Sequence, residues 1–215
     1  MKKSLKEQVY SGIVEKIISN EYKPNSILTE NSVMSLFKCS KAPVREALIE
    51  LCKDNYLNSI PRVGYLIPSC SLQEIINILN FRVDLEVSNL KRASTTITQE
   101  DMNNLKEIYL RDSSTHNQTI TNHWYRNQEF HLTLCKFSKN EYTYSILFKT
   151  LKQNSRFFES YYSYAWNKKT ELKGKYHKLI IEALEKNDID KACSLLKTDI
   201  ESVRVQIIES LSTNS

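Results

Sequence analysis

The sequence predicts a mainly α-helical chain in two unlike parts: a winged helix-turn-helix over residues 1–69 and an all-helical bundle over residues 70–215. Three observations carry this. All four prolines (Pro24, Pro43, Pro61, Pro68) and two of the three glycines (Gly12, Gly64) fall within the first 68 residues, so the chain turns often there and is free to run in long helices afterwards. Two short helical stripes in that first part are separated by only the residues KCSK, 38–41, the spacing of a helix-turn-helix. Beyond Ser71 no alternating strand pattern survives, while apolar residues recur at helical spacing.

The elements follow in order. A first helix opens at a capping box, Ser4 with Glu7, and aligns Leu5, Val9, Ile13 and Ile17 on one face. EYKPNSIL then reads as a turn. Thr29 caps a short helix, ENSVMSLF, with Val33, Leu36 and Phe37 directed inward. Ser40 caps a third helix running to about Asn55. Pro43 lies in its first turn, where the missing N–H costs nothing, and Val44, Leu48 and Leu51 form its buried stripe. LNSIPRVGYLIP alternates around Arg62 and Gly64 as a short hairpin does, which supplies a wing. The boundary falls near Pro68 to Ser71. Further helices are predicted from Ser71 (with Glu74) to about Ala93, from Thr98 (with Asp101) to about Arg111, and roughly over 121–138, 142–167, 170–186 and 188–212, with Asn187-Asp188 as the last joint.

Composition narrows the function classes. With 40% hydrophobic and 26% charged residues the chain is of ordinary globular type, and no run approaches the roughly 18 apolar residues of a membrane span. Its N-terminus is charged and amphipathic, so a cytoplasmic location without a membrane partner is expected. Five scattered cysteines (Cys39, Cys52, Cys70, Cys135, Cys193) form no CxxC and fit reduced packing residues better than disulfides or a thiolate zinc site. A net charge of +5 permits a polyanionic partner. Neither a phosphate loop nor a Ser-His-Asp grouping is present, so an enzyme is not expected.

The stretch CSKAPVREAL carries the sharpest signal. Ser40, Lys41 and Ala42 project from a well-defined helix start, and Arg45 lies one turn along, opposite Val44 and Leu48. A helix end of this kind enters a major groove, where Lys41 and Arg45 reach phosphates or the acceptor edge of guanine. The segment from Leu28 to Tyr65 resembles the N-terminal winged helix of GntR-type bacterial transcription regulators, whose motif of serine, arginine, any residue, proline, valine, arginine, glutamate, alanine, leucine is matched by Ser40 to Leu48 at every position but one. Lys41 stands where arginine is usual, keeping the charge and losing the bidentate fork. The resemblance implies DNA contacts from Ser40, Lys41, Arg45 and Gly64, with Thr29 and Asn31 as weaker candidates. Arg62 adds a phosphate or minor-groove contact.

The helical half resembles the effector-binding domain of the FadR branch of that family, through FRVDLE at 81–86, NQEFHLTL at 127–134 and the long stretch from Tyr176 to Ile200. Many members hold a divalent metal there, and the corresponding places here are Asn127, His131, His177 and Asp199. Asn127 and His131 are i and i+4 on one helix face, with His177 and Asp199 on two other helices, an arrangement able to converge inside a bundle. Two imidazoles and a carboxylate suit zinc, manganese, nickel or iron. Equally, the two histidines can hydrogen-bond to Asn127 and Asp199 in a polar pocket without metal.

Arg82 shares an inward stripe with Ile75, Leu79 and Glu86. It pairs with Glu86 one turn on, or, as the resemblance implies, grips the carboxylate of a small effector acid. Phe157, Tyr161 and Tyr164 form a stripe read as core or dimer interface, although Tyr161 or Tyr164 can offer a hydroxyl to an effector pocket. His116 and His123 fit no ligand position and are read as surface residues.

The resulting expectation is a homodimeric regulator on a pseudo-palindromic operator, a repressor relieved by a small organic acid, with or without a divalent metal. Its rivals are a metal-responsive regulator, a regulator whose ligand site has decayed, and, more remotely, a metal-dependent enzyme.

Overall fold

The computed structural model describes residues 3–19, 21–69, 71–113, 120–152 and 175–212. The chain forms two compact units, the first built mainly on residues up to Ser71 and the second mainly on residues from Leu72 onward, with Lys152 grouped with the first.

In the first unit α1 (Leu5–Ile18) starts at the predicted capping box, with the Ser4 hydroxyl accepting from Glu7 N–H and the Glu7 carboxylate accepting from Ser4 N–H. Its Val9, Ile13, Val14 and Ile17 are buried, while Leu5, expected on the same face, lies in the first turn and is exposed. Gly12 sits mid-helix for a packing reason: a Cβ there would stand 2.5 Å from the Phe37 ring. The helix α2 (Glu30–Phe37) is capped by Thr29, whose side chain accepts from Ser32 N–H. It buries Val33 and half-buries Phe37, but Leu36 is 47% exposed, contrary to the inward direction read from its spacing. Eight residues make barely two turns, so one stripe suffices and the next row faces solvent.

Lys38 closes α2 in the left-handed conformation, at φ 50°, and the turn feeds α3 (Lys41–Lys53). Ser40 holds the N-cap position with extended backbone but makes no capping hydrogen bond with its side chain. Val44, Ala47, Leu48 and Leu51 of α3 are fully buried against α1.

The wing is a three-stranded antiparallel sheet in the order β1-β3-β2, formed by β1 (Ile27–Leu28), β2 (Asn58–Ile60) and β3 (Gly64–Leu66). The hairpin was legible; β1 was not, since Ile27 and Leu28 sit within the stretch read as a turn and pair with Leu66 and Tyr65 across the chain. Pro61 and the positive φ of Arg62 (64°) make the pattern of a type II turn, closed by Val63 N–H donating to Ile60 C=O. Gly64 has φ 146°, and a Cβ on it would lie 2.5 Å from the Leu28 carbonyl oxygen, so only glycine lets β3 approach β1.

The second unit contains α4 (Leu72–Ala93), α5 (Gln99–Ser113), α6 (Ile120–Lys136), α7 (helical over 141–152), α8 (Lys175–Glu185) and α9 (Ile189–Ser212). The predicted capping pair Thr98 and Asp101 is formed, each accepting from the other's backbone N–H. Asn187 turns the α8–α9 joint at φ 55°, and the Asp188 carboxylate accepts from Lys191 N–H at the start of α9. The parts of the predicted 142–167 and 170–186 helices between residues 153 and 174, with Phe157, Tyr161 and Tyr164, lie outside the described residues.

Helix α4 packs against α9 and α6, α8 against α9, and α5 against α6 and α8. Across one junction the buried Asn89 amide donates to the Cys135 carbonyl and its oxygen accepts from the Ser138 hydroxyl, so a polar side chain closes the C-terminal turn of α6. Among the described residues no helix is long and apolar enough to cross a membrane.

Candidate functional site

The basic face of the first unit is set by the start of α3. Burial of Val44 and Leu48 leaves Lys41 and Arg45 on the opposite side, with side chains 66% and 65% exposed. Ser40, Asn31, Thr29 and Arg62 are also exposed. The Thr29 side chain is already engaged in capping α2. One residue on this face is invisible to sequence reading: Glu30, whose carboxylate lies 3.2 Å from Lys41 Nζ and 3.9 Å from Arg45 Nε. Nothing in a one-dimensional pattern links residue 30 to residues 41 and 45; the tight turn between α2 and α3 does.

In the second unit four helices bring one buried polar cluster together. Arg82 and Glu86 come from α4, Asn127 and His131 from α6, His177 from α8 and Asp199 from α9. Arg82 Nε donates to Glu86 Oε1 at 2.8 Å, and the other Glu86 oxygen stands 2.6 Å from His131 Nδ1. The far nitrogen of that ring, Nε2, is 3.1 Å from Asp199 Oδ2, which is in turn 3.6 Å from His177 Nε2. The Asn127 amide nitrogen is 3.5 Å from the same His177 nitrogen. Phe130 stacks on the His177 ring with centroids 3.8 Å apart and planes at 9°, fixing its orientation from the apolar side.

Burial alone would raise the Glu86 pKa, but the charges of Arg82 and His131 outweigh it and hold the carboxyl below its usual range. Burial alone would lower that of His131; the Glu86 charge, with hydrogen bonds to Asp199 and Glu86, reverses this and holds it above the usual imidazole value. For Asp199 the penalty of burial is overcome by His177 and by hydrogen bonds to both rings, and its carboxyl titrates far below normal.

The donor set fits a metal ion. His131, His177 and Asp199 each offer one ligand atom, all within 4.8 Å of one another. The separations from Asp199 Oδ2, 3.1 and 3.6 Å, resemble the edges of a coordination polyhedron, since two donors each about 2.1 Å from one ion lie about 3.0–3.4 Å apart. Asn127 stands beside His177, and turning its amide over would present the oxygen as a fourth donor. Among the described residues one buried polar atom has no hydrogen-bond partner: Nη2 of Arg82, a side chain 1% exposed.

Comparison with known proteins agrees with both parts. The model of bacterial regulatory proteins of the gntR family matches residues 5–67, and that of the FCD domain, the FadR-type C-terminal effector domain, matches residues 77–202, more than half of the chain. The chain belongs to the GntR family, with an FCD domain. Its GntR-type relatives include an uncharacterized HTH-type transcriptional regulator, YdhC, of Bacillus subtilis, 28% identical over 142 residues that make up 65% of this chain and 63% of the relative. The HTH-type transcriptional repressor RspR of Escherichia coli is 26% identical over 114 residues, 53% of this chain and 47% of that one. The matches thus span about three fifths or less of these relatives' lengths.

Among solved structures the GntR fold recurs end to end. A protein named Lar, described as controlling the expression of the Listeria monocytogenes agr system, superposes with TM-score 0.70 at 19% identity, covering 97% of this chain and 99% of its own. Escherichia coli McbR/YncC superposes with TM-score 0.65 at 18% identity over the whole of both chains. At such identities the likeness is one of fold. The two families matched are those of regulators rather than enzymes.

Proposed function

We propose that the chain is a DNA-binding transcription regulator, a homodimer on a pseudo-palindromic operator, whose operator affinity is set by a small carboxylic acid bound in the helical bundle together with a divalent cation. The observation that carries the effector half is the unmatched Nη2 of Arg82 in a network that ends on His131, His177 and Asp199. A buried guanidinium N–H without a partner is costly, and a carboxylate oxygen is the acceptor that best completes it.

Asn127, His131, His177 and Asp199 would hold the cation, and two imidazoles with one carboxylate suit zinc, manganese, nickel or iron. When bound, the cation supplies a fixed positive charge able to take an oxygen of the acid as a further ligand. Phe130 keeps the His177 ring in place, and Arg82 binds the acid by its free N–H while its Nε stays on Glu86. Tyr161 and Tyr164 remain candidates for the same pocket.

In the head, Lys41 and Arg45 read or grip the major groove from the start of α3, flanked by Ser40, Thr29 and Asn31, and Arg62 with Gly64 forms the wing that follows the backbone. The acid must bind the operator-free state more tightly than the operator-bound one, because only that difference drives release. The regulator is then a repressor acting in the cytoplasm.

Selection of duplexes from a random pool by the full chain, with Arg45→Ala as control and at stated salt, tests the reading. A palindrome recovered with the wild type and lost with the variant supports it; the same sequences recovered by both remove α3 as the reading helix. Titrating carboxylic acids with zinc or manganese against the recovered duplex then separates this reading from a metal-responsive regulator, favoured by the close set of donors, in which the ion alone changes affinity.

A further inference from the structure

The cluster contains a carboxylate that the donor set leaves unused. Glu86 is buried, and both of its oxygens are committed: Oε1 accepts from Arg82 Nε at 2.8 Å and Oε2 stands 2.6 Å from His131 Nδ1. Its oxygens face Arg82 and His131, and the three residues whose ligand atoms converge do not include it.

We propose that Glu86 is a positioning residue that holds the proton of His131 on Nδ1 and so dedicates Nε2 to the ion, with Arg82 as the counter-ion that fixes Glu86 in turn. This rests on the metal site of the proposed function. An imidazole has two nitrogens, and only the one without hydrogen can ligate. A carboxylate 2.6 Å from Nδ1 can only accept, so it requires hydrogen on Nδ1 and leaves exchange of proton for metal to Nε2. Nε2 is the nitrogen that faces Asp199 Oδ2, and the His131 and His177 rings lie nearly perpendicular to each other. Arg82 supplies the matching constraint from one turn earlier on α4, since its Nε can only donate.

Glutamine cannot substitute for Glu86 in this arrangement. With its amide oxygen toward Arg82, its NH2 faces His131 Nδ1 and forces the hydrogen onto Nε2, which blocks ligation. With the oxygen toward His131, the NH2 faces the Arg82 N–H, donor against donor. Loss of such an outer carboxylate typically weakens metal affinity about 10–100-fold.

The experiment is zinc binding to the full chain by chelator competition, for the wild type, Glu86→Gln and the double variant Arg82→Leu/Glu86→Leu. The double variant removes the buried pair as a unit, which folds tolerate better than a half-broken pair. Circular dichroism checks that each is folded, and 15N-edited spectra of the zinc-loaded proteins report the Nδ1–H of His131. The expected result is affinity lowered about 10–100-fold in both variants, with a slowly exchanging Nδ1–H present in the wild type and lost in both. Unchanged affinity in a folded variant overturns the positioning role and leaves the metal site standing. No binding by the wild type overturns both.

Discussion

Lys41 Nζ lies 3.2 Å from Glu30 Oε2, so an acid on α2 holds the first cation of α3 within the same face that is proposed to meet DNA. The same carboxylate reaches toward Arg45 at 3.9 Å. Because Lys41 and Arg45 are about two-thirds exposed, such pairs are worth at most about 1 kcal/mol, so phosphates can displace Glu30 readily. Its remaining effect is repulsion of phosphate wherever the fit is poor. Glu30→Gln is therefore expected to tighten binding to random duplex about two- to fivefold while changing operator affinity less, measured by competition at fixed salt. A variant that loses affinity for both would mean that Glu30 itself contacts a base.

Lys41→Ala and Arg45→Ala act in the opposite direction. Both side chains point away from the core formed by Val44, Leu48 and Leu51, so folding, followed by circular dichroism, is expected to be unchanged. Each variant should weaken duplex binding, and for every phosphate that is no longer neutralised the dependence of log affinity on log salt should flatten by about 0.9. Retained affinity in both variants would remove α3 from the interface.

Arg62 sits at the wing turn with φ 64°, a conformation that costs a non-glycine residue about 1 kcal/mol. An exposed arginine kept in a position that suits glycine separates stability from binding. Arg62→Gly is expected to raise stability in urea by about 0.5–1 kcal/mol and to weaken operator binding. An increase in stability with no change in affinity would leave the wing without a contact at this residue.

How much of this was legible in sequence depends on the range of the interaction. The capping boxes at Ser4 and Thr98 and the buried stripe Val44, Leu48, Leu51 are local, and the structure forms them as the sequence predicts. Strand β1 escapes sequence reading because its partner, β3, lies some forty residues further on and two residues carry no period of their own. Leu36 faces outward because spacing defines a stripe without saying how wide the neighbouring surface is. The convergence of Asn127, His131, His177 and Asp199 follows from spacing and resemblance, whereas Glu86 is legible only as the partner of Arg82. Its bond to His131 joins α4 to α6, and no spacing rule relates residues 86 and 131.

Cys135, near the end of α6, tests the dryness of the bundle. Burial, with the Glu86 charge adding to it, pushes its thiol pKa up to about 12. The sign is that of a group whose neutral form is favoured, so at pH 8 the thiolate is scarce in the folded state. Alkylation by iodoacetamide at pH 8 is expected to spare Cys135 in native protein and to modify it in urea, read by peptide mass spectrometry. Rapid labelling in the native state would show that the α4–α6 junction opens.

The final test concerns which carboxylate the site needs. The acid at Asp199 faces both rings, 3.1 Å from His131 Nε2 and 3.6 Å from His177 Nε2, while Asn127 stands 3.5 Å from His177 and brings no charge. Asp199→Asn leaves a similar shape and removes the only anion among the donors, so zinc or manganese affinity should fall by about tenfold or more, about 1.4 kcal/mol. Asn127→Asp adds a second carboxylate next to His177 and should strengthen binding by a comparable factor. The expected order of affinity is therefore Asn127→Asp, wild type, Asp199→Asn, measured by chelator competition. If Asn127→Asp instead weakens binding, the amide oxygen of Asn127 is not a ligand and residue 127 serves only to orient the His177 ring. Raised affinity in Asp199→Asn would mean that Asp199 competes with the ion for the two imidazoles and does not help to hold it.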